Sequence, residues 1–213
     1  RFLPQAFYYF NAYAQAKKLG KADNLTICVP SGNFGNITAG LFAQRMGLPI
    51  KHFIAANNAN DIFYNYLLSG VYSPKASIQT IANAMDVGDP SNFARILDLY
   101  KSSHAEICNH ISGATYSDDE IAATMKKCYE QTGYVLDPHG ACGYQALKDN
   151  LKEGETGVFL ETAHPAKFKE KVDAILSTDI EIPTRLADFM KGKKQSLEMA
   201  ADFSAFKQFL LNE

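Results

Sequence analysis

The residues with the clearest chemical potential lie in one short turn near the start of the chain, within the stretch VPSGNFGNITAG (29–40). They lie between an apolar run and a stretch with the pattern of a helix. The residues are Ser31, Gly32, Asn33, Phe34, Gly35 and Asn36. A turn of this kind presents free backbone N–H groups at the positive end of a helix, and glycine lets the backbone approach a ligand closely. The ligand that this chemistry favours is an anion, above all a phosphate.

The spacing of the glycines excludes two common nucleotide-binding loops. The first two glycines are separated by two residues, which does not match G-x-G-x-x-G. A Walker loop requires Lys and then Ser or Thr after Gly40, where Leu41 and Phe42 stand. A cradle for a single phosphate, assisted by the side chain of Asn33 or Asn36, is compatible with the spacing. A purely structural turn between a strand and a helix is equally compatible, so spacing alone leaves both open.

The elements around this turn predict an α/β fold with a partial parallel sheet flanked by helices. The run 25–29 is a predicted buried strand, 37–46 a helix and 50–56 a second strand, which together make a βαβ unit. A third strand is predicted over 157–163. Further helices are predicted near the start of the chain and at 61–70, 90–102, 118–131, 140–151, 166–176 and 204–211. Three strands are few for such a sheet, so we expect a piece of a larger unit.

Composition argues against several other classes of protein. The 213 residues carry 21 basic and 23 acidic side chains, which gives no polyanion-binding signature, so we expect neither nucleic acid nor membrane as a partner. No apolar run approaches the length that spans a bilayer. The four cysteines have no C-x-x-C spacing and the five histidines form no ligand pair, so we expect reduced thiols, a cytoplasmic location and no metal.

Five sequence blocks, taken in order, are similar to the threonine synthase family, a group of pyridoxal-phosphate enzymes with the tryptophan-synthase-β-like fold. The start of the chain, RFLPQAFYYFNAY, also resembles the family helix that precedes the first strand. The blocks are VPSGNFGNITAGLFAQRMGLP, FIAANNANDIF, IANAMDVGDPSNFARI, GYVLDPHGACGYQAL and FLETAHPAKF, and they span most of residues 1–170. This set is far more specific than the glycine-rich turn alone, and the tail from about residue 180 adds little to it.

The resemblance implies an activity and a cofactor. The family converts O-phospho-L-homoserine and water to L-threonine and phosphate in threonine biosynthesis, with pyridoxal phosphate as an electron sink. Ser31 through Asn36 would hold the cofactor phosphate. Thr162, at the end of the third predicted strand, would supply the hydroxyl that bonds the pyridine nitrogen.

One departure from the family pattern concerns the lysine that forms the Schiff base with the cofactor. In the family it lies N-terminal to the glycine-rich turn, in a motif resembling F-K-D. Here Lys17, Lys18 and Lys21 precede the turn without that motif, so we expect no catalytic residue in this chain. Residues 1–213 are then the C-terminal portion of the cofactor-binding large domain, the N-terminal half of the same protein is missing, and the fragment alone is inactive. Lys167 is a substrate-phosphate or structural group.

Two alternative functions and several polar positions stay open. In the first alternative, the chain belongs to another pyridoxal-phosphate lyase of this fold, such as a serine or threonine dehydratase. In the second, it is a non-catalytic phosphate-binding module. The block NAMDVGDPSNFARI argues against the dehydratase. Asn57, Asn58 and Asn60 either contact a ligand or cap the helix at Asp61, whereas turn and cap chemistry is enough to explain Asn83, Asp86, Asp89 and Asn92. The aromatic residues Phe7, Tyr8, Phe10 and Tyr13 form either core or a face for the missing half.

Overall fold

Four parallel strands form one sheet in the computed structural model, which describes residues 2–212. The strands are β1 (Leu25–Pro30), β2 (His52–Asn57), β3 (Ile111–Thr115) and β4 (Thr156–Phe159). Their order across the sheet is β3-β2-β1-β4, and each neighbouring pair is parallel. The predicted fold class, a parallel sheet flanked by helices, is confirmed.

The helices belong to two compact units, one reaching Ile180 and the other beginning at Glu181. The first unit contains the sheet and α1 (Ala6–Lys18), α2 (Gly35–Arg45), α3 (Ile62–Ser69), α4 (Phe93–Leu99), α5 (His104–His110), α6 (Asp118–Thr132), α7 (Pro138–Asn150) and α8 (Lys169–Leu176). The second unit contains α9 (Thr184–Met190) and α10 (Phe203–Asn212). Short 3-10 turns lie at Leu3–Gln5, Asn83–Met85 and Pro165–Phe168.

The strands are apolar on both faces because helices cover both sides of the sheet. Leu25, Ile27 and Val29 of β1 point into one hydrophobic cluster with residues of α1 to α5. Cys28, between them, points into a second cluster with residues of α6, α7 and α8. This period-2 division, repeated in β2, explains why the strands are continuous apolar runs rather than alternating ones.

Three elements are absent from the sequence prediction. Helices α5 and α9 and strand β3 were not predicted, so the sheet has four strands rather than three. Strand β3 reads ISGAT, which has a single large apolar residue and a central glycine, and its propensity is therefore weak. It forms because β2 offers a complete row of partners, from Ile111 opposite Phe53 to Thr115 opposite Asn57.

The predicted third strand is shorter than expected, and this changes the setting of Thr162. Strand β4 ends at Phe159 rather than at residue 163. Leu160 still donates its N–H to the Cys28 carbonyl, at 3.0 Å, and the chain then leaves the sheet. Thr162 therefore lies in the loop after β4, not within the strand.

Four aromatic residues of α1 were predicted to form either core or a face for the missing half, and in the described chain Tyr13 packs against the core whereas the other three are exposed. Phe7, Tyr8 and Phe10 are 73%, 49% and 40% exposed, whereas Tyr9 and Ala16 are buried. Tyr9 fills the space beside Gly40 of α2, where an added Cβ would lie 2.4 Å from its ring. The helix thus packs on α2 through its small and Tyr9 positions and leaves most of its aromatic residues uncovered.

Candidate functional site

The glycine-rich turn connects β1 to α2 at the carboxyl end of the sheet, the edge at which ligands bind in open α/β sheets. Ser31 is anchored there, because its N–H donates to the Ala56 carbonyl and its hydroxyl donates to the Val29 carbonyl, both at 2.8 Å. Phe34 adopts the left-handed conformation, with φ of 61°, directly before α2. Its ring is buried against Phe63, so only its backbone is available to a ligand.

Consecutive backbone N–H groups in this turn are left without a protein acceptor. Within residues 2–212, none of the amides of residues 32 to 37 donates a hydrogen bond to another group of the chain. The next amide, that of Thr38, donates to the Phe34 carbonyl at 3.1 Å and begins the regular pattern of α2. These free donors stand at the positive end of an eleven-residue helix, at the place where the sequence predicts an anion cradle.

Gly32 lies against the 3-10 turn Asn83–Met85, and no larger residue fits there. An added Cβ would be 2.7 Å from the Met85 Cα and 2.8 Å from the Ala84 carbonyl oxygen, both of them backbone atoms. At Gly35 the nearest atom to an added Cβ is 3.6 Å away, which is ordinary contact. The two glycines thus differ, since only Gly32 is required by the packing of the protein itself.

The side chains of Asn33 and Asn36 hold the turn in place through their oxygens. Asn33 Oδ1 accepts from the Ser91 N–H at 2.6 Å, and Asn36 Oδ1 accepts from the Tyr9 hydroxyl at 2.8 Å. Asn92 adds a bond from its Nδ2 to the Asn33 carbonyl at 2.7 Å. Within the described chain the Nδ2 groups of Asn33 and Asn36 have no acceptor, so both remain available as donors.

A cavity of about 270 Å³ opens at this edge of the sheet. It brings together the turn, the loop after β4, the start of α7 and the Asn83–Met85 turn. Its lining includes Gly32, Asn36, Met85, His139, Thr162 and Lys167. Thr162 is exposed, and within residues 2–212 its hydroxyl makes no hydrogen bond. Two of the predicted regions, the turn and Thr162, therefore meet at one cavity.

His139 is a buried side chain on this cavity that the sequence did not single out as functional. Its Nδ1 lies 2.6 Å from Asp137 Oδ1, and the Ala84 N–H donates to its Nε2 at 3.1 Å. A backbone N–H can only donate, so Nε2 is the unprotonated nitrogen and Nδ1–H donates to Asp137. Its ring packs on Phe168, with centroids 4.7 Å apart.

The asparagines after β2 form a buried hydrogen-bond network rather than a helix cap. Asn58 Nδ2 donates to Thr80 Oγ1 and to Asp86 Oδ1, each at 2.8 Å, and Asn60 Nδ2 donates to the Ile78 carbonyl at 2.9 Å. Asp61 precedes α3 without a side-chain cap bond, so the capping alternative is wrong for these residues. The network fixes the segment 78–86, which we call the clasp, beside the cavity.

Asn57 occupies a separate position under the turn. Its Nδ2 donates to the Ser31 carbonyl at 2.9 Å, while its Oδ1 is buried and has no partner among the described residues. Among the described residues, it is the one of the three asparagines whose side chain makes a hydrogen bond to the turn.

Two charged groups modify the electrostatics of this edge. Burial raises the pKa of Glu161, whose Oε2 accepts from the Tyr134 hydroxyl at 2.7 Å and whose Oε1 accepts from the Asp137 N–H at 3.1 Å. The bond to Glu161 raises the pKa of Tyr134 to about 12. Lys167, which is exposed, contributes a positive charge to the cavity wall.

Metal chemistry has no candidate in the part of the chain that the structure describes, since no cluster of three His, Cys, Asp or Glu residues could hold an ion. The four cysteines are free, and burial raises the pKa of Cys142 to about 12, so that this thiol is unreactive. None of the described helices combines the length and the apolar character needed to cross a membrane.

Comparison with known proteins assigns the fold and the turn to a family. The family model described as "Pyridoxal-phosphate dependent enzyme" matches residues 6–162, nearly three quarters of the chain. The chain belongs to this family. A second model, described as "Threonine synthase, C-terminal", matches residues 140–210 of this family member.

Relatives of this pyridoxal-phosphate family include threonine synthases that match along the whole chain. The threonine synthase of Haemophilus influenzae is 47% identical over 211 residues, which are 99% of this chain and 49% of the relative. The crystal structure of threonine synthase from Escherichia coli matches with a TM-score of 0.85 at 42% identity. The match covers 100% of this chain and 49% of the Escherichia coli chain.

A third match is a structure in which the cofactor is bound. The structure of pyridoxal-phosphate-bound threonine synthase from Brucella melitensis matches with a TM-score of 0.86 at 33% identity. The match covers 100% of this chain and 50% of the Brucella melitensis chain. The chain thus spans about half the length of the relatives it matches.

The residues present fit a phosphorylated cofactor of this family. The free amides at the start of α2 supply donors for a phosphate, and the packing at Gly32 keeps the turn close to the clasp. Among the described residues that line the cavity beside them, Thr162 carries a hydroxyl without a hydrogen-bond partner. Sequence reasoning missed Ala84 and Asp137, and it took His139 only as a poor metal candidate. An N–H to Nε2 bond between residues 55 positions apart leaves no local pattern.

Proposed function

We propose that this chain is the C-terminal portion of a threonine synthase that converts O-phospho-L-homoserine and water to L-threonine and phosphate with pyridoxal phosphate. Support comes from the family model over residues 140–210 and from threonine synthases at 42–47% identity over the whole chain. Residues 1–213 would be the C-terminal part of the cofactor-binding large domain.

The observation that carries the proposal is the row of unpaired amides at residues 32 to 37. Such donors, fixed at a helix N-terminus, favour a dianionic phosphate over a neutral ligand. In this assignment Ser31 through Asn36 hold the phosphate of pyridoxal phosphate. Ser31 acts through its place in the turn, since its hydroxyl already donates to Val29, and Phe34 acts through its amide while its ring stays in the core.

Two side chains on the cavity orient the rest of the ligand. Pyridoxal phosphate supplies an electron sink for carbanion chemistry when it is bound. The Thr162 hydroxyl is assigned to the pyridine nitrogen, because it lines the cavity and has no protein partner among the described residues. A neutral hydroxyl can exchange a hydrogen bond with that nitrogen without fixing a positive charge on the ring. Lys167 attracts the phosphate of the substrate toward the same cavity.

The lysine that bonds the cofactor is assigned to a part of the protein outside these 213 residues. None of the lysines that precede the turn lies in a motif like F-K-D, and both Lys167 on the cavity lining and Lys169, in the sequence Phe-Lys-Glu, follow β4. The chain alone is therefore expected to be inactive. The rest of the protein would cover the exposed aromatic face of α1, where Phe7 is 73% exposed. The protein is assigned to the cytoplasm, in keeping with four free thiols.

The test of this proposal is reduction with borohydride in the presence of pyridoxal phosphate, followed by peptide mass spectrometry. The chain by itself should yield no stoichiometric adduct at a single lysine, whereas the full-length protein should yield one such adduct at a lysine outside this chain. A stoichiometric adduct at Lys167 or at any other lysine of the chain would overturn the assignment. A full-length protein that forms no adduct would instead support a phosphate-binding module without catalysis.

A further inference from the structure

The tip of the clasp, Ala84, is held from the opposite side by a single side chain. The base of the clasp has several anchors: Asn58 Nδ2 donates to the Ala82 carbonyl at 3.2 Å, and the Ile81 N–H donates to Asp118 at 3.1 Å. At Ala84, in contrast, the N–H donates to His139 Nε2 at 3.1 Å, and within the described chain it has no other acceptor. His139 therefore fixes how far the tip extends toward the turn.

His139 is itself held in one orientation. Asp137 Oδ1 accepts from both the His139 backbone N–H, at 2.8 Å, and its ring Nδ1, at 2.6 Å, while the ring packs on Phe168. Asp137 is almost completely buried at the N-cap of α7, so the carboxylate cannot swing away. The ring consequently presents Nε2 to Ala84 as a fixed acceptor.

The same tip residue forms the wall against which Gly32 packs. The Ala84 carbonyl oxygen and the Met85 Cα lie so close to Gly32 that an added Cβ would be 2.8 Å and 2.7 Å from them. A shift of the tip by a few tenths of an ångström therefore changes the space available to the first unpaired amides of the turn. Interiors at this packing density transmit such shifts rather than absorb them.

We propose that His139 is a positioning residue for the phosphate-binding turn: by accepting from the Ala84 N–H it sets the wall that holds Gly32, and through Gly32 it sets the amides that bind phosphate. This inference rests on the proposed function of the turn. It assigns His139 no contact with the cofactor and no proton transfer. Asp137 contributes to this positioning because it selects the tautomer of His139 that carries the proton on Nδ1.

The test compares two amide substitutions of His139 in the full-length protein. In His139→Gln the side-chain oxygen reaches the place of Nε2 and can still accept from Ala84, whereas in His139→Asn it reaches only the place of Nδ1. We expect the dissociation constant of pyridoxal phosphate to rise roughly fivefold in His139→Asn, about the worth of one hydrogen bond, and less than twofold in His139→Gln. The ³¹P resonance of the bound cofactor should shift only in His139→Asn.

Equal affinities and equal ³¹P spectra for the two variants would overturn the inference. If neither variant folds, Ala84→Pro removes the donor and leaves the ring untouched, and proline is tolerated near the start of a helical turn. It should weaken binding as His139→Asn does, and unchanged affinity would again overturn the inference. Gly32→Val distinguishes failure of the proposed phosphate site from failure of the proposed role of His139. If Gly32→Val leaves the affinity for pyridoxal phosphate unchanged, the assignment of the turn as the phosphate site fails. If Gly32→Val weakens binding but the His139 and Ala84 variants do not, only the role of His139 fails.

Discussion

At the scale of single residues, the turn shows that the same residue type can serve two different purposes three positions apart. Gly32 has backbone atoms of the clasp within 3 Å of the place of a Cβ, whereas Gly35 has only ordinary contacts there. Neither has a positive φ, so conformational freedom does not explain them. Gly32 is required by close approach to protein, and Gly35 leaves room beside the first turn of α2.

A pair of matched substitutions in the protein that carries this chain tests this distinction. Gly32→Ala should lower the free energy of unfolding by about 1–3 kcal/mol, because overpacking must displace backbone atoms of Met85 or Ala84. Gly35→Ala should cost less than about 1 kcal/mol, because the nearest atom is 3.6 Å from its Cβ. Denaturant unfolding measures both, and equal losses would contradict the packing account.

At the scale of elements, the clasp has little regular structure besides the Asn83–Met85 turn and is fixed by a network of side-chain hydrogen bonds. Its long stretch without regular structure is stable because Asn58, Asn60 and Asp86 replace the hydrogen bonds that a helix or strand would provide. Asp86 Oδ2 also accepts from the Thr80 N–H at 3.0 Å. A network of this kind is strong when complete and costly when one member is lost.

Removal of one member should therefore loosen the clasp as a whole. Asn58→Ala should lower the free energy of unfolding by about 2–3 kcal/mol, since Asp86 and Thr80 lose a buried donor. Asn83→Ala, in the same segment, is the control, because the Asn83 side chain is exposed and makes no hydrogen bond within the described residues. Thermal unfolding compares the two variants, and similar losses would show that the network does not hold the clasp.

The first turn of helix α6 makes a pH-dependent contribution to the stability of the folded protein. The Ser117 N–H donates to Glu120 Oε2 at 2.8 Å, and this bond, followed by that of the Ser117 hydroxyl, lowers the pKa of Glu120. Because the pKa is lower in the folded state, the stabilisation is complete above the ordinary value of about 4.3 and is lost as pH falls through the folded pKa.

Glu120→Gln removes the charge and keeps an acceptor at this position. The variant should be less stable than the unsubstituted protein at pH 7, and the difference should narrow as pH falls below the ordinary glutamate value of about 4.3 and through the lower folded pKa of Glu120, where the native carboxylate becomes protonated. Unfolding midpoints at pH 7 and at pH 3 measure this change. A difference that is the same at both values would mean that the charge of Glu120 does not contribute.

At the scale of the whole molecule, the sequence predicted what local patterns encode and missed what distant residues create. The βαβ unit, helix α6 with Ser117 as its N-cap, and the place of the turn follow from apolar runs, polar helix starts and glycines. Strand β3 was missed because its register depends on β2, and the roles of His139 and Ala84 were missed because the two residues meet only in the folded chain. Thr162 was placed in a strand because it follows the apolar run 158–160 by two positions, although strand pairing ends before it.

The exposed aromatic residues of α1 also belong to this scale. They are large aromatic side chains of the kind found in protein cores, but they are exposed to solvent. The chain spans about half the length of the relatives it matches. The residues of the turn, the cavity lining and the clasp nevertheless all lie within the first compact unit. The phosphate site is thus expected to be encoded here even though the bond to the cofactor is assigned elsewhere.

A crystal structure of the full-length protein with pyridoxal phosphate tests the central claim most directly. The account predicts that the phosphate oxygens accept hydrogen bonds from backbone amides within residues 32 to 37, with the Thr162 hydroxyl within hydrogen-bond distance of the pyridine nitrogen. A phosphate bound away from these amides, with the turn bonded only to water, would contradict it.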